Sequence, residues 1–223
     1  MSGRIIAISD IHGCLAALET VLAAIAPRPE DTLVTLGDYA DRGPDVRGVL
    51  ETLIALGNQT RLVPLLGNHD ETMLNVCRGR TDLLADWLLF GGDATLASYD
   101  TYLPAKVWET HLQFLARCPL AFETERHFFV HANYRADLPL AKLPREVLLW
   151  ESLKRYVPGP HVSGKTAIVG HTAQKSGEIL DLGHLKCIDT WCYGDGWLTA
   201  LDVESGQLWQ ASKNGGLRKQ AQA

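Results

Sequence analysis

The sequence predicts an α/β fold in which short buried strands form a layered sheet flanked by helices. Two observations carry this expectation. Five short apolar runs, at residues 5–8, 32–36, 62–66, 128–130 and 167–169, each lead into a metal-capable residue or cluster. Runs this short that are apolar on both faces mark strands covered by other layers. The first three runs are also separated by segments with helical spacing. This β-α-β-α-β order implies a largely parallel sheet, and the strand ends of such a sheet share one edge, where open α/β sheets bind ligands.

Each element follows in order. A strand over 4–9 leads into a helix over 15–26, where Leu15, Leu18, Leu22 and Ile25 recur at helical spacing until Pro27 and Pro29 stop it. A strand over 32–36 precedes a helix over 46–56, ended by Gly57-Asn58, and a third strand covers 61–66. Residues 71–118 carry no strand signal and read as a helical insertion, with patches at 82–90 and 105–118 and with Trp87, Tyr99, Tyr102 and Trp108 scattered through it. Two placements fit the insertion: over the site edge, where it shapes substrate access, or in an outer helical layer. Strands are then expected at 120–124, 127–131, 165–169, 178–182, 184–189, 197–202 and 207–210, with Gly183 and Gly206 punctuating hairpins. The stretch Val157-Pro158-Gly159-Pro160 reads as a connecting loop, so one domain is expected over 1–223, with a frayed tail from Gly215.

Composition narrows the function classes. With 223 residues, 46% of them hydrophobic, the chain can bury a sizeable core. A net charge of -5 and the lack of a lysine-arginine cluster leave no electrostatic footprint for nucleic acid or an anionic membrane. A small phosphorylated substrate needs only local positive charge. Met1-Ser2-Gly3-Arg4 enters the first strand without a signal-peptide core, and no apolar stretch approaches the roughly 18 residues of a membrane span. The five cysteines are odd in number and lack CxxC spacing, as expected of buried thiols in a reducing, cytoplasmic compartment. Cys14 belongs with them rather than with nucleophiles, because candidate metal ligands stand two and four residues before it.

The strand ends carry the chemistry. Asp10, His12 and Asp38 suit a first divalent cation, and Asp38, Asn68, His131 and His171 suit a second. A carboxylate shared between both ions holds them roughly 3.5–4 Å apart, and a bridging water becomes a hydroxide nucleophile near neutral pH. Asn68 fits because an amide oxygen donates without adding charge. His69 stands beside it as the general acid for the departing oxygen. Asp41 is placed to orient His69 and raise its pKa, and Arg42 offers a bidentate fork for phosphate oxygens.

The motifs Asp10-Ile11-His12-Gly13, Gly37-Asp38-Tyr39-Ala40-Asp41-Arg42-Gly43 and Gly67-Asn68-His69-Asp70 resemble those of the calcineurin-like metallophosphoesterases. The Asp-Arg-Gly element points to the phosphoprotein phosphatase branch, which includes bacterial serine/threonine phosphatases and symmetrical diadenosine-tetraphosphate hydrolases. His131-Ala132 and Gly170-His171-Thr172 resemble its last two metal positions. The resemblance implies a metallophosphoesterase β-sandwich flanked by helices and the same roles for these residues. It also implies two divalent ions, Mn²⁺ foremost, with Fe and Zn fitting the same donors. The expected reaction is direct hydrolysis of phosphoserine or phosphothreonine in proteins, phosphotyrosine included, with dinucleoside polyphosphates as the alternative substrate. The short chain tilts this choice toward phosphoprotein.

Four departures from the resemblance stand out. Asp70 replaces a common Glu, and Asn133 replaces a glycine beside His131. Leu149-Trp150 is followed by Glu151, not by the further phosphate-binding arginine of relatives, and the nearest cations are Lys154 and Arg155. Finally, Ile188-Asp189-Thr190-Trp191-Cys192 has Trp191 where bacterial relatives place glycine.

Overall fold

The apolar runs pair into two sheets. A computed structural model describes residues 3–218, and among them the first sheet holds β1 (Ile5–Ile8), β2 (Thr32–Thr35), β3 (Arg61–Pro64), β9 (Leu198–Asp202) and β10 (Leu208–Ala211) in the order β10-β9-β1-β2-β3. β1, β2 and β3 are parallel, and β9 and β10 close one side antiparallel. The second sheet runs β4 (Ala121–Glu123), β5 (His127–Val130), β6 (Thr166–Val169), β8 (Leu185–Cys187) and β7 (Leu180–Asp181), with β5, β6 and β8 parallel. This is the expected α/β sandwich.

Side-chain alternation explains why each strand reads as wholly apolar. Ala7, Val34, Phe129, Ile168 and Leu201 meet between the two sheets. Their neighbours Ile6, Ile8 and Leu33 face outward into the helical layer, and Phe128, Val130, Ala167 and Val169 face outward from the second sheet. Both faces lose water, so both alternating sets are apolar.

The helical layer begins with α1 (Leu15–Ile25) and α2 (Val46–Leu56). Ala26 ends α1 in the left-handed conformation (φ 46°), its N–H bonded to Leu22 O, and Pro27 follows. Asp45 caps α2 by accepting from Gly48 N at 2.8 Å. Next come α3 (Asn68–Cys77), α4 (Leu84–Trp87), α5 (Asp93–Ser98) and α6 (Glu109–Ala116), the expected insertion. Both placements foreseen for it occur together. Met73, Val76, Trp87, Leu96, Leu112 and Leu115 join the α1–α2 core, while the turn between α4 and α5 reaches back to the site edge through the bond from Arg42 N to Gly91 O. No helix among the described residues is long and apolar enough to cross a membrane.

Three local expectations change. α3 starts at Asn68, earlier than the insertion was drawn, because the Asp70 carboxylate turns back to accept from Gly67 N at 2.9 Å and organises the first turn. A helix not foreseen, α7 (Arg145–Trp150), covers the outer face of the second sheet with Leu148. The tail from Gly215 is tied down as far as Arg218, whose guanidinium donates to Gly177 O and Gln210 Oε1, and Leu217 bridges Ala211. The remainder of that tail, 219–223, lies outside the described residues.

Candidate active site

All nine residues singled out from sequence gather at one edge. Asp10 and His12 follow β1, Asp38, Asp41 and Arg42 follow β2, and Asn68 and His69 open α3 after β3. His131 and His171 follow β5 and β6 of the second sheet. Both sheets therefore aim parallel strand ends at the same place.

The loops are tight enough to strain. Among the described residues eight non-glycines have positive φ, and five of them are His12, Asp38, Asp41, Arg42 and His171. Each such conformation costs roughly 1–3 kcal/mol and persists only where surrounding structure enforces it. Part of that enforcement is close backbone contact. A Cβ on Gly37 would lie 2.5 Å from Gly67 N, and one on Gly67 would lie 2.2 Å from Asp38 N. Asp70 adds to it, accepting from Tyr39 N at 2.9 Å and Ala40 N at 3.1 Å. The carboxylate that stands for a common Glu thus ties the second motif to the third.

Hydrogen bonds fix which nitrogen of each imidazole carries a lone pair. His131 Nδ1 donates to Leu36 O at 2.8 Å, so its Nε2 is an acceptor. That Nε2 lies 3.0 Å from Asn68 Oδ1 and 3.5 Å from Asp38 Oδ1. His171 Nε2 donates to Trp150 O at 3.2 Å, which leaves its Nδ1 as an acceptor 3.0 Å from Asn68 Oδ1. Two imidazole lone pairs, an amide oxygen and a carboxylate thus converge without a hydrogen between them. Such a group is repulsive by itself and suits a divalent cation. Ligand atoms of Asp38, His131 and His171 lie within 4.8 Å of one another, as do those of His12, Asp38 and His69.

At the second cluster Arg42 intervenes. Its Nη1 is 2.9 Å from His12 Nε2 and its Nη2 is 2.7 Å from His69 Nε2. Since guanidinium only donates, both imidazoles accept on Nε2 and donate on Nδ1, His12 to Ala40 O at 2.8 Å and His69 to Asp41 Oδ2 at 2.7 Å. A cation on His12 Nε2 and this bond from Arg42 exclude each other, because both use the same lone pair. The Arg42 guanidinium also stacks 4.3 Å above the Tyr193 ring. Asp10 is turned to the His171 amide, accepting at 3.0 and 3.2 Å.

Charge at this edge is unusual for a buried site. Burial pushes Asp10 well up, and Asp189 and Asp38 push it further. Burial likewise raises Asp189 to about 6. Asp38 moves the other way: burial opposes its charge, but the imidazoles of His131, His69 and His12 hold it well below the usual carboxylate range. Burial lowers His12 and His131, and lowers His171 to about 4 with help from His131. His69 is raised, since Asp38 and its bond to Asp41 outweigh its burial. Neutral imidazoles beside carboxylates are the protonation state that metal ligation needs.

Several participants were not legible in the sequence. Asp41 is fully buried and accepts from Trp87 Nε1 at 2.9 Å and Thr95 Oγ1 at 2.7 Å as well as from His69. Trp87 and Thr95 lie 46 and 54 residues away, so only the fold reveals what the insertion does for the site. Asp189 is a further buried carboxylate whose charge bears on Asp10. Trp191, the residue in a glycine position, has φ 67°, which accounts for the glycine of relatives. Arg155 is exposed and does not line the cleft, whereas Lys154 is the cation of that loop whose field reaches Asp189. The cleft over these residues encloses about 230 Å³, with Arg42, Asn68, His69 and His171 along its floor.

Comparison with known proteins bears on this geometry. The model of the family described as calcineurin-like phosphoesterase matches residues 3–195. A symmetrical bis(5'-nucleosyl)-tetraphosphatase of Janthinobacterium sp. (strain Marseille) is 31% identical over 156 residues, covering 69% of this chain and 51% of that protein. The chain thus spans about half the length of that relative. Serine/threonine-protein phosphatase 1 of Salmonella typhimurium is 28% identical over 208 residues, covering 88% of this chain and 90% of that protein. Among solved structures, a candidate diadenosine tetraphosphatase superposes with a TM-score of 0.71 at 23% identity, over 95% of this chain and 94% of that one. At that identity the superposition speaks for the fold.

Proposed function

The chain belongs to the calcineurin-like phosphoesterase family, and from that premise we propose that it is a two-metal hydrolase cleaving dinucleoside polyphosphates of the diadenosine-tetraphosphate type symmetrically. The observation that carries the chemistry is the convergence of hydrogen-free acceptors from Asp38, Asn68, His131 and His171. With Asp10 and His12 they would hold two divalent cations, Mn²⁺ foremost. When bound, these ions supply Lewis-acid polarisation of phosphoryl oxygens and acidify water for attack. Arg42, released from His12, presents its fork to the phosphate. His69 lines the cleft; once Arg42 also leaves its Nε2, the ring, whose pKa Asp38 and Asp41 raise, would take up a proton there and give it to the departing oxygen. Asp41 keeps Nδ1 protonated and the ring in place, and Trp87 and Thr95 hold Asp41 in turn. The attack is direct, with no phosphorylated side chain.

The order of substrates reverses the one reached from chain length alone. Its support is the tetraphosphatase name carried by relatives at 31% to 48% identity over their matched stretches. A second reading, hydrolysis of phosphoserine or phosphothreonine in proteins, keeps its own support in the near-complete overlap with the Salmonella protein phosphatase. A side-by-side measurement of kcat/KM with Mn²⁺ separates them, using diadenosine tetraphosphate and a phosphopeptide panel. The expected result is at least a hundredfold preference for the dinucleotide, about 2.7 kcal/mol of transition-state binding, with ADP as the nucleotide product. A preference of that size for peptides refutes the dinucleotide reading in favour of the second.

A further inference from the structure

Two aromatic side chains stand in water at the rim of the catalytic cleft: Phe90 is 61% exposed and Trp150 is 45% exposed. Trp150 is aimed by a side-chain bond and Phe90 by the backbone that follows it, rather than by burial. The Trp150 indole N–H donates to Glu71 Oε2 at 3.1 Å, and Arg145 grips the other oxygen of the same carboxylate at 2.5 Å. Its polar atom is thereby satisfied, and what remains open is ring surface. Phe90 precedes Gly91, whose φ of 106° and whose carbonyl bond to Arg42 N at 3.1 Å fix the segment against the phosphate-binding loop. A Cβ on Gly91 would lie 2.7 Å from Arg42 N, so this approach requires glycine. The phenyl ring is thus carried on the same backbone contact that positions the guanidinium.

We infer that Phe90 and Trp150 form the seat for the nucleobase of the substrate, receiving it by stacking while its phosphate lies over Arg42, Asn68 and His69. The inference rests on the nucleotide reading above and adds the residues that recognise the base. Exposed aromatic faces beside a phosphate site suit a flat heterocycle, since every base offers a π face. Thr72 favours a base over a phosphotyrosine ring. It lines the same cleft and donates its hydroxyl hydrogen to Asn68 O at 2.8 Å, which leaves lone pairs to accept from a ring amino group. A phosphotyrosine ring carries no such donor.

Calorimetric titration of the Mn²⁺-loaded protein with AMP and with inorganic phosphate isolates the contribution of the nucleoside. AMP is expected to bind at least about tenfold more tightly than phosphate, in line with base–aromatic stacking. Phe90→Ala and Trp150→Ala should each remove most of that advantage while leaving phosphate affinity within about twofold, and Trp150→Phe should retain it. Retained phosphate affinity also shows that the variants fold. Equal affinity for AMP and phosphate in the unaltered protein overturns the seat, as does an advantage that survives both alanine variants, or a phosphotyrosine peptide that gains more than AMP. An AMP advantage that depends on the two rings, found in a protein that prefers phosphopeptides as substrates, would leave the seat standing and remove the dinucleotide reading. Efficient dinucleotide cleavage by variants with an undiminished AMP advantage would do the reverse.

Discussion

The two ends of β1 and β2 both bury aspartates, with opposite consequences. At the N-terminal end, Asp31 accepts from Arg4 N at 2.9 Å, from Arg4 Nη2 at 2.6 Å and from Arg28 N at 2.9 Å. Burial there opposes the charge, but the bonds from Arg4 overcome it and draw Asp31 down to about 2. At the C-terminal end Asp10, and with it Asp189 beyond β8 of the second sheet, is pushed up, by burial first and then by neighbouring carboxylates. A carboxylate with donors on every side stabilises a fold. Carboxylates crowded together are kept at a cost, which a bound cation or a captured proton offsets. One end of the strands holds the sheet together, and the other gathers the candidate site.

The sharpest break of this comparison is in activity. His69→Asn is expected to lower kcat by about 10²–10⁴-fold, the range for losing a general acid, and Asp38→Asn, which removes the carboxylate shared between the ions, by at least as much, while circular dichroism and the unfolding midpoint stay near those of the parent. Parent-like rates in either purified variant would contradict the assigned roles.

The next effect belongs to the other end and spares activity. Asp31→Ala removes several charge-assisted bonds and should cost about 1.5–3 kcal/mol in urea unfolding, with kcat unchanged. Because the folded pKa of Asp31 is depressed, its contribution is complete above the ordinary carboxylate pKa near 3.8 and fades as pH falls toward about 2. The stability gap between parent and variant should therefore narrow in that window. A gap that stays constant down to pH 2 would mean that the Arg4 pair does not set the shift.

The smallest effect has the opposite sign. Asp189 has a raised folded pKa, so the metal-free protein binds extra protons between the ordinary value and about 6 and loses stability as pH rises through that range. Asp189→Asn should raise the metal-free unfolding free energy measured in urea at pH 8 by on the order of 1 kcal/mol, and do little at pH 4. Destabilisation at both pH values would place Asp189 with Asp31 as a structural carboxylate.

Much of the fold and of the site can be read from residues close in sequence. Apolar runs of four or five residues, helical spacing between them and Pro27 or Gly57 at the helix ends are local facts, and they correspond to β1 through β3 with α1 and α2. The nine site residues were legible because each follows such a run within a few positions. What escaped is what depends on partners far along the chain. α3 begins at Asn68 because Asp70 reaches back to Gly67, and the tail through Arg218 is anchored by Gln210 and Gly177. Trp87 read as one of several scattered aromatic residues and Thr95 carried no local signal, until packing placed both on Asp41.

The sequence by itself therefore determined the succession of strands and helices along the chain, the strand ends that carry the candidate site and the donor atoms available there, since these follow from short-range periodicity and residue chemistry. Only the tertiary structure decided which lone pairs converge, which carboxylates are left crowded together and which aromatic rings stand at the rim. His131 reaches Asn68 across 63 residues and His171 across 103. Burial and hydrogen-bond direction over such separations are set by the packing of the two sheets, and no local pattern records them.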